Sequence, residues 1–397
     1  MIIEVAIFTG SINLHENNKD VRKLYILEKL KYFRFTDIKL KIITPQMKEC
    51  TLPPLENIEY NTYKFIDKKH FKMISSSINS MEKLIKLDCK LIHCYNLQAG
   101  TLALLINFLR TQKYLIIFEP MGLAYEESKY SNPSLKIKLA GSFAKLPEKL
   151  VFRKSDAVVV YTHSLKEYVA QKFNINSEKV YVIPHGTNLN TEYTKEKLER
   201  FTIFNELNIP LKNKIVMYGG MLSDLHGTPY LMEAINIISK KRQDISFLIL
   251  GRGNLEKKIR DYLKENKLTN VYLLGFVLPE KFGLYLNLAD ILLIPHAKCT
   301  QTELDQPTKL FEYLASGKPI VSFNLKAVAD VVGDNAILVE PDNPKALADG
   351  ILLLADDENL CRKLGERGKV IVKDYSWEIS AKKQYKLYKK LYKNMKR

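Results

Sequence analysis

The sequence predicts an α/β protein built from two doubly wound, Rossmann-like domains whose parallel sheets face a central cleft. Three observations carry this expectation. At 397 residues the chain is too long for one ordinary core and fits two domains of roughly 200 residues each. Short apolar runs alternate with segments of helical period along its whole length, the rhythm of repeated βα units. These runs fall into two sets of six, separated by the polar stretch "HGTNLNTEYTKEKLER", where a hinge belongs.

In chain order the first set is "IIEVAIF", "IKLKIIT", "KLIHCY", "KYLIIFE", "DAVVVYT" and "KVYVIP". The second is "KIVMYGG", "ISFLILG", "NVYLLGF", "DILLIP", "KPIVSF" and "NAILVE". Near-continuous Val, Ile and Leu suits strands covered on both faces, and doubly wound sheets place ligands beyond the carboxyl ends of their strands. The domains expected are 1–195 and 196–375. A helical-period segment, 376–397, could cross back to brace the first.

Composition narrows the class. Hydrophobic residues make up 46% and charged residues 26%, the balance of a globular protein and not of a fibrous or low-complexity chain. Five scattered cysteines, without a C-x-x-C pair, argue against a disulfide framework or a zinc site and suit a reducing cytosol. The opening "MIIEVAIFTG" has Glu4 and no basic n-region, so it reads as a strand and not as a signal peptide. The most apolar stretch, "AGTLALLINFL", is too short to cross a bilayer. A formal net charge of +17 calls for an anionic partner.

The stretch "QPTKLFEYLASGKPIV" (306–321) offers a place for such a partner. Pro307 suits a helix start, and Gly317 followed by Pro319 suits a stop, so the helix is expected from about Pro307 to Ser316. Its tip would present the N–H groups of Thr308, Lys309 and Leu310 together with the positive end of the dipole, an anion site suited to a diphosphate. Glu312 lies about 7–8 Å further along the axis, within reach of a ribose whose two hydroxyls a carboxylate can accept. Read alone, a residue such as Glu312 is more often a solvated helix acid and Lys309 a surface lysine.

The run "P-T-K-L-F-E-Y-L-A-S-G-K-P-I-V" resembles the signature of the retaining nucleotide-sugar glycosyltransferases of family 4, which have the GT-B fold. The resemblance puts the family's Pro-x-Lys loop and ribose-binding glutamate on Pro307, Lys309 and Glu312. In register with it, "VMYGGMLSDLHGTPYLMEAI" is similar to the first strand, glycine turn and helix of the donor domain, with Gly219, Gly220, His226 and Gly227. "LILGRGNLEKKI" resembles the next phosphate-side loop, and "NVYLLGFVLPEKF" the loop that receives the nucleobase, around Gly275, Phe276 and Val277. "DVRKLYILEKL" is similar to the family's Asp-x-Arg helix opening, with Arg22. "SDAVVVYTHSLKEYV" and "KVYVIPHGTN" resemble the last unit of the first domain.

The sequence also departs from that pattern. The glutamate that contacts the transferred sugar in many members falls here on Leu304, leaving the flanking Glu303 and Asp305 as candidate catalytic acids. Where members carry a histidine or an acid after the strand "YLIIF", this chain has Glu119, a third candidate. Arg and Lys of the glycine turn are replaced by Met221 and His226, so Arg252, between Gly251 and Gly253, is the natural phosphate-binding substitute. His93, His163 and His185 read as structural.

The resemblance implies transfer of a sugar from a nucleotide-diphosphate donor to a lipid-linked saccharide or other glycan, with retention. Without Asp-x-Asp after an apolar strand, no metal is expected, nor any cofactor beyond the donor substrate. Residues 129–154 hold seven basic residues against one acid, interleaved with apolar ones, and the tail "AKKQYKLYKKLYKNMKR" has eight basic residues and no acid. Both suit peripheral contact with an anionic membrane on its cytoplasmic face, although a solvated face over a core explains the first as well. In the tail, Tyr385, Tyr388 and Tyr392 share one helical face. The alternatives are a sugar-nucleotide epimerase or a phosphorylase of the same fold, or a basic nucleic-acid-binding protein; no nucleic-acid motif accompanies the charge.

Overall fold

A computed structural model describes residues 3–12, 14, 21–46, 52, 55, 57–64, 72–123, 126, 135–189 and 197–395. Contacts divide the chain into two compact units, Met1–Gly186 with Trp377–Arg397, and Thr187–Ser376. Of the stretch taken as the hinge, 190–196 lies outside the described residues.

The first unit has a parallel sheet ordered β3-β2-β1-β4-β5-β6-β7. Its strands are β1 (Ile3–Phe8), β2 (Ile38–Pro45), β3 (Ile58–Tyr63), β4 (Leu91–Cys94), β5 (Leu115–Phe118), β6 (Ala157–Val160) and β7 (Val180–Val182). All but β3 were legible as apolar runs. β3 reads IEYNTY, half-buried, and pairs only with β2 at the sheet's edge. An edge strand keeps polar and charged side chains, so no apolar run marks it.

Right-handed crossovers distribute the helices over the two faces of this sheet. One face carries the helices Lys72–Ile85, Leu97–Leu109, Leu135–Lys154 and His163–Phe173, each against the next. The other carries Val21–Lys31 and the chain's last helix, Trp377–Asn394, which also touches β1. That last helix is amphipathic and buries Ala381, Gln384, Leu387, Tyr388 and Leu391. The shared face expected for the three tail tyrosines therefore resolves into different roles. Tyr388 is enclosed and hydrogen-bonds His93 Nδ1 at 2.7 Å, while Tyr385 donates to Asp37 at 2.8 Å.

The second unit has a parallel sheet ordered β10-β9-β8-β11-β12-β13. Its strands are β8 (Lys214–Gly219), β9 (Ile245–Leu250), β10 (Val271–Gly275), β11 (Ile291–Ile294), β12 (Ile320–Phe323) and β13 (Ile337–Val339). β9, β11 and β12 are buried throughout, which explains their unbroken apolar runs. The chain grows outward in one direction from β8 and in the other from β11, so the point where the winding reverses lies between those two strands, at their carboxyl ends.

Candidate active site

That switch point in the second unit is where the sequence motifs meet. β8 ends in Gly219 and Gly220. Gly220 adopts φ +155, and a Cβ there would stand 2.4 Å from Lys309 Nζ. Only a bare glycine lets the lysine lie so close to the turn. The amide of Gly219 donates to the Tyr313 hydroxyl at 3.1 Å, tying the turn to the helix that Lys309 opens.

That helix runs Lys309–Ser316, two residues later than expected. Thr308 caps it with helical angles and no side-chain bond. Leu310 N–H donates to the Pro307 carbonyl at 3.0 Å, closing a tight turn, so Leu310 does not offer the free amide predicted for it. The amides of Thr308 and Lys309 bond to nothing among the described residues and keep the anion-binding character of a helix start. Pro307 is buried beside them.

Lys309 and Glu312 form the centre. The Lys309 ammonium is closed off from solvent without a hydrogen-bond partner and lies 4.6 Å from the centre of the Tyr218 ring. Burial pushes its pKa down to about 7, with the Glu312 charge opposing. Burial pushes Glu312 up to about 7, with the Lys309 charge opposing. Neither group makes an ion pair or hydrogen bond within the described residues. A buried cation left without a partner is costly, and this one sits where an incoming anion would relieve the cost.

Two histidines stand over the same turn. His226 accepts or donates at Nδ1 with Ser223 Oγ at 2.8 Å and packs edge-on against His296 at 4.9 Å between ring centres. His296, at the end of β11, is 8% exposed and its Nε2 has no partner. Burial holds both rings neutral, with the Lys309 charge adding to the effect: His226 falls to about 3 and His296 well below its ordinary value. His296 and Tyr218 escape a reading of the sequence. The one available signal was a histidine directly after the strand-ending proline in "LLIPH".

The remaining donor-side candidates lie on other loops of the second unit, except Arg22. Arg252 is exposed on the loop after β9, and its Nε comes within 3.7 Å of where a Cβ of Gly275 would be. Phe276, 45% exposed, and the half-buried Val277 follow β10. Arg22 falls in the first unit's helix Val21–Lys31, and its side chain lies outside the described residues.

The three acids picked as catalytic candidates are engaged elsewhere. Glu303 accepts from the amide of Lys326 at 3.0 Å, starting the helix Lys326–Val332, and lies 3.8 Å from Lys298 Nζ. Its carboxylate is spent on a helix end. Asp305 ends the short helix Thr300–Leu304 and accepts from the amide of Gln306 at 3.1 Å. Glu119 is in the first unit, 1% exposed, 3.1 Å from Lys29 Nζ and 3.0 Å from His93 Nε2. Burial acts to raise its pKa, but Lys29 and His93 hold it at about 2, so it is a locked structural anion.

Two doubly wound units, each on its own parallel sheet, are the architecture of the GT-B fold. Comparison with known proteins agrees. Residues 25–191 match the family described as Glycosyltransferase Family 4, and residues 212–357 match Glycosyl transferases group 1. The chain belongs to these glycosyltransferases and is a transferase. An uncharacterized glycosyltransferase of Methanocaldococcus jannaschii is 27% identical over 315 residues, covering 72% of this chain and 80% of that protein. The poly(ribitol-phosphate) alpha-N-acetylglucosaminyltransferase of Staphylococcus aureus is 25% identical over 338 residues, 82% of this chain and 61% of its own length. Among solved structures, Anabaena HepE in complex with UDP and glucose superposes with a TM-score of 0.75 at 12% identity, covering 98% of this chain and 100% of that one.

Proposed function

We propose that this enzyme moves a sugar from a nucleoside-diphosphate sugar to a lipid-linked saccharide or other glycan acceptor, with retention and without a metal. The observation that carries the reading is the buried, partnerless Lys309 ammonium beside the free amides of Thr308 and Lys309, with Glu312 one turn further along. A diphosphate satisfies the cation and the amides together, and Glu312 accepts from the ribose hydroxyls. Arg252 and His226 lie at the phosphate end, Phe276 and Val277 at the base end.

Departure of the diphosphate builds negative charge on the leaving oxygen, and preorganised donors there are worth about 10²–10³ in rate each. Lys309 supplies a cation at that end, which supports metal independence. With Glu303, Asp305 and Glu119 all engaged, a covalent glycosyl-enzyme on any of them is disfavoured. Retention then follows from front-face displacement. The acceptor hydroxyl bonds to the anomeric carbon on the face from which the diphosphate leaves, and its proton passes to the departing phosphate oxygen. The polyol-phosphate acceptor named for the Staphylococcus relative and the UDP and glucose of the Anabaena complex support the choice of acceptor and donor classes.

The test is release of free nucleoside diphosphate from a panel of UDP-, GDP- and ADP-sugars. Release that requires an added glycan acceptor is expected. Release without acceptor, or isomerised donor in its place, would favour an epimerase; consumption of inorganic phosphate would favour a phosphorylase. Glu312→Ala should weaken nucleoside-diphosphate affinity by about 10- to 100-fold, the worth of one or two hydrogen bonds to a charged group. Unchanged affinity removes Glu312 from the site.

A further inference from the structure

The described side chains of the helix Leu135–Lys154 include large apolar ones turned outward. From Phe143 onward its inner face buries Glu148, Val151 and Phe152, while Phe143 is 79% exposed, Leu146 65% and Leu150 45%. At 3.6 residues per turn these three form a single stripe. Lys145, Lys149, Arg153 and Lys154 are exposed along the same outer side, and the one acid of this stretch, Glu148, is turned in. A merely solvated outer face over the core that Val151 and Phe152 enter would not carry Phe143, Leu146 and Leu150, nor turn the acid inward.

The neighbouring helices continue the surface. Leu97–Leu109 packs against this helix at Gly100, where a Cβ would stand 2.6 Å from Val151, and presents Leu105 (47% exposed), Phe108 (85%) and Leu109 (65%). Lys72–Ile85, packed against Leu97–Leu109, adds Ile78 and Ile85. Eight of the sixteen large apolar side chains exposed among the described residues stand on these three helices of one layer. Single exposed hydrophobics are ordinary, whereas a concentration on one face marks a partner. The acid Glu82 within this layer is taken up by Lys86 at 2.7 Å.

We infer that the outer surface of this helix layer docks on an anionic lipid bilayer, with Phe108 and Phe143 entering the headgroup boundary and Lys145, Lys149 and Lys154 meeting the lipid charges. The inference rests on the proposed lipid-linked acceptor for its purpose and on this surface alone for its evidence. Charge selects the occupant: a second copy would set the same cations against each other, and an anionic membrane complements them. No helix among the described residues is long and apolar enough to cross a bilayer, so the contact is one of lying on the surface. The basic tail is a weaker contender, because Leu387, Tyr388 and Leu391 of its helix are already inside the unit.

The full chain should sediment with phosphatidylcholine vesicles containing one third phosphatidylglycerol, and not with phosphatidylcholine alone. Phe108→Ser with Phe143→Ser should lower the partition coefficient by about tenfold or more, as loss of two buried apolar side chains implies. Lys145→Gln with Lys149→Gln and Lys154→Gln should remove most of its salt dependence, while Lys386→Gln with Lys390→Gln on the tail changes it little. All these positions are exposed, so thermal melting should be unaltered. Equal partitioning of the double-serine variant, or a wild-type chain indifferent to anionic lipid, overturns the inference. So does a wild-type dimer that the double-serine variant turns into a monomer in sedimentation equilibrium. Binding of UDP, GDP and ADP, measured on the same samples, separates the two readings: absence of all three in the wild type strikes the donor site and leaves the vesicle result to stand or fall by itself.

Discussion

At the scale of single residues, the site is governed by two charges that burial has pulled toward one another's range. Lys309 and Glu312 both sit at about 7, so nucleoside-diphosphate affinity should be bell-shaped in pH. Diphosphate binding favours the ammonium, and as pH rises above about 7 the free enzyme must take up a proton to bind, losing affinity by up to tenfold per pH unit. The ribose contact needs the carboxylate, so affinity also falls as pH drops below about 7. Calorimetry with UDP from pH 5.5 to 9 should show both limbs. Lys309→Met should abolish the alkaline one and Glu312→Gln the acid one, and an alkaline limb that survives Lys309→Met breaks the assignment. The same shifts set the stability of the free enzyme. Between about 7 and 10.5 the unfolded chain holds the lysine proton that the folded one has lost, so stability rises with pH there. Between 4.5 and about 7 the folded chain holds the Glu312 proton, so stability falls with pH. Lys309, Glu312 and Gly220 were legible because a bare turn and a helix tip leave a local signature. The partners of Glu303 and Glu119, the amide of Lys326 and the ammonium of Lys29, were not legible because they are remote in sequence, and an acid does not announce that it is already occupied. His296 was passed over because a histidine after a strand is also what a plain turn looks like.

At the scale of elements, glycine turns decide how closely the loops of the second unit approach. Gly227 precedes the helix Thr228–Ser239 with φ +68, and a Cβ there would lie 1.5 Å from the Pro295 carbonyl oxygen. Gly333 has φ +50, with nothing within 4 Å of its added Cβ. Gly333→Ala should therefore cost only the penalty of a backbone conformation that side chains avoid, φ +50 with ψ −125, about 1–3 kcal/mol. Gly227→Ala must also move backbone and should cost several kcal/mol, in the range where a substitution has a single named cause. Denaturant unfolding compares the two, and equal costs would mean that the loops holding His226 and His296 yield freely. Gly227→Ala should also weaken UDP binding, because the Leu225 carbonyl, which accepts from Ala297 at 3.1 Å, moves with it. The alternation of strand and helix was readable because buried parallel strands have no room for polar residues. β3 was not, because at the sheet edge Glu59 and Asn61 cost nothing to keep. The start of the helix Lys309–Ser316 slipped by two residues because Pro307 closes a turn of its own before regular winding begins.

At the scale of the whole molecule, the chain leaves its first unit, builds the second, and returns its last helix to the first. Sequence rhythm could suggest that return but not its strength, which depends on what the helix meets. It meets a core: Ala381, Leu387, Tyr388 and Leu391 are buried with Ile26, Leu30 and Phe33 in one cluster, and Tyr388 reaches His93, which stands against the Lys29–Glu119 pair. Burying a large apolar side chain is worth about 1.5–3 kcal/mol, so the three large ones account for roughly 5–9 kcal/mol, comparable to the 5–15 kcal/mol by which a whole domain is stable. A chain ending at Ser376 should therefore lose the first unit's cooperative melting transition, not merely a membrane tether. Tyr388→Phe isolates the polar part, because it keeps the ring and removes the hydroxyl that His93 and Gln384 share. It should cost about 1–3 kcal/mol, the penalty for polar groups stranded in a core. Glu119→Gln should cost more, since it leaves the Lys29 ammonium buried at 2% exposure without its anion, a loss of about 3–5 kcal/mol for a broken buried pair. Calorimetric melting should show the smallest loss for Tyr388→Phe, a larger one for Glu119→Gln and the largest for the shortened chain, with nucleoside-diphosphate affinity in the second unit unchanged for both point variants. A Glu119→Gln protein that melts like the wild type but loses transfer would return Glu119 to the chemistry from which its burial removes it.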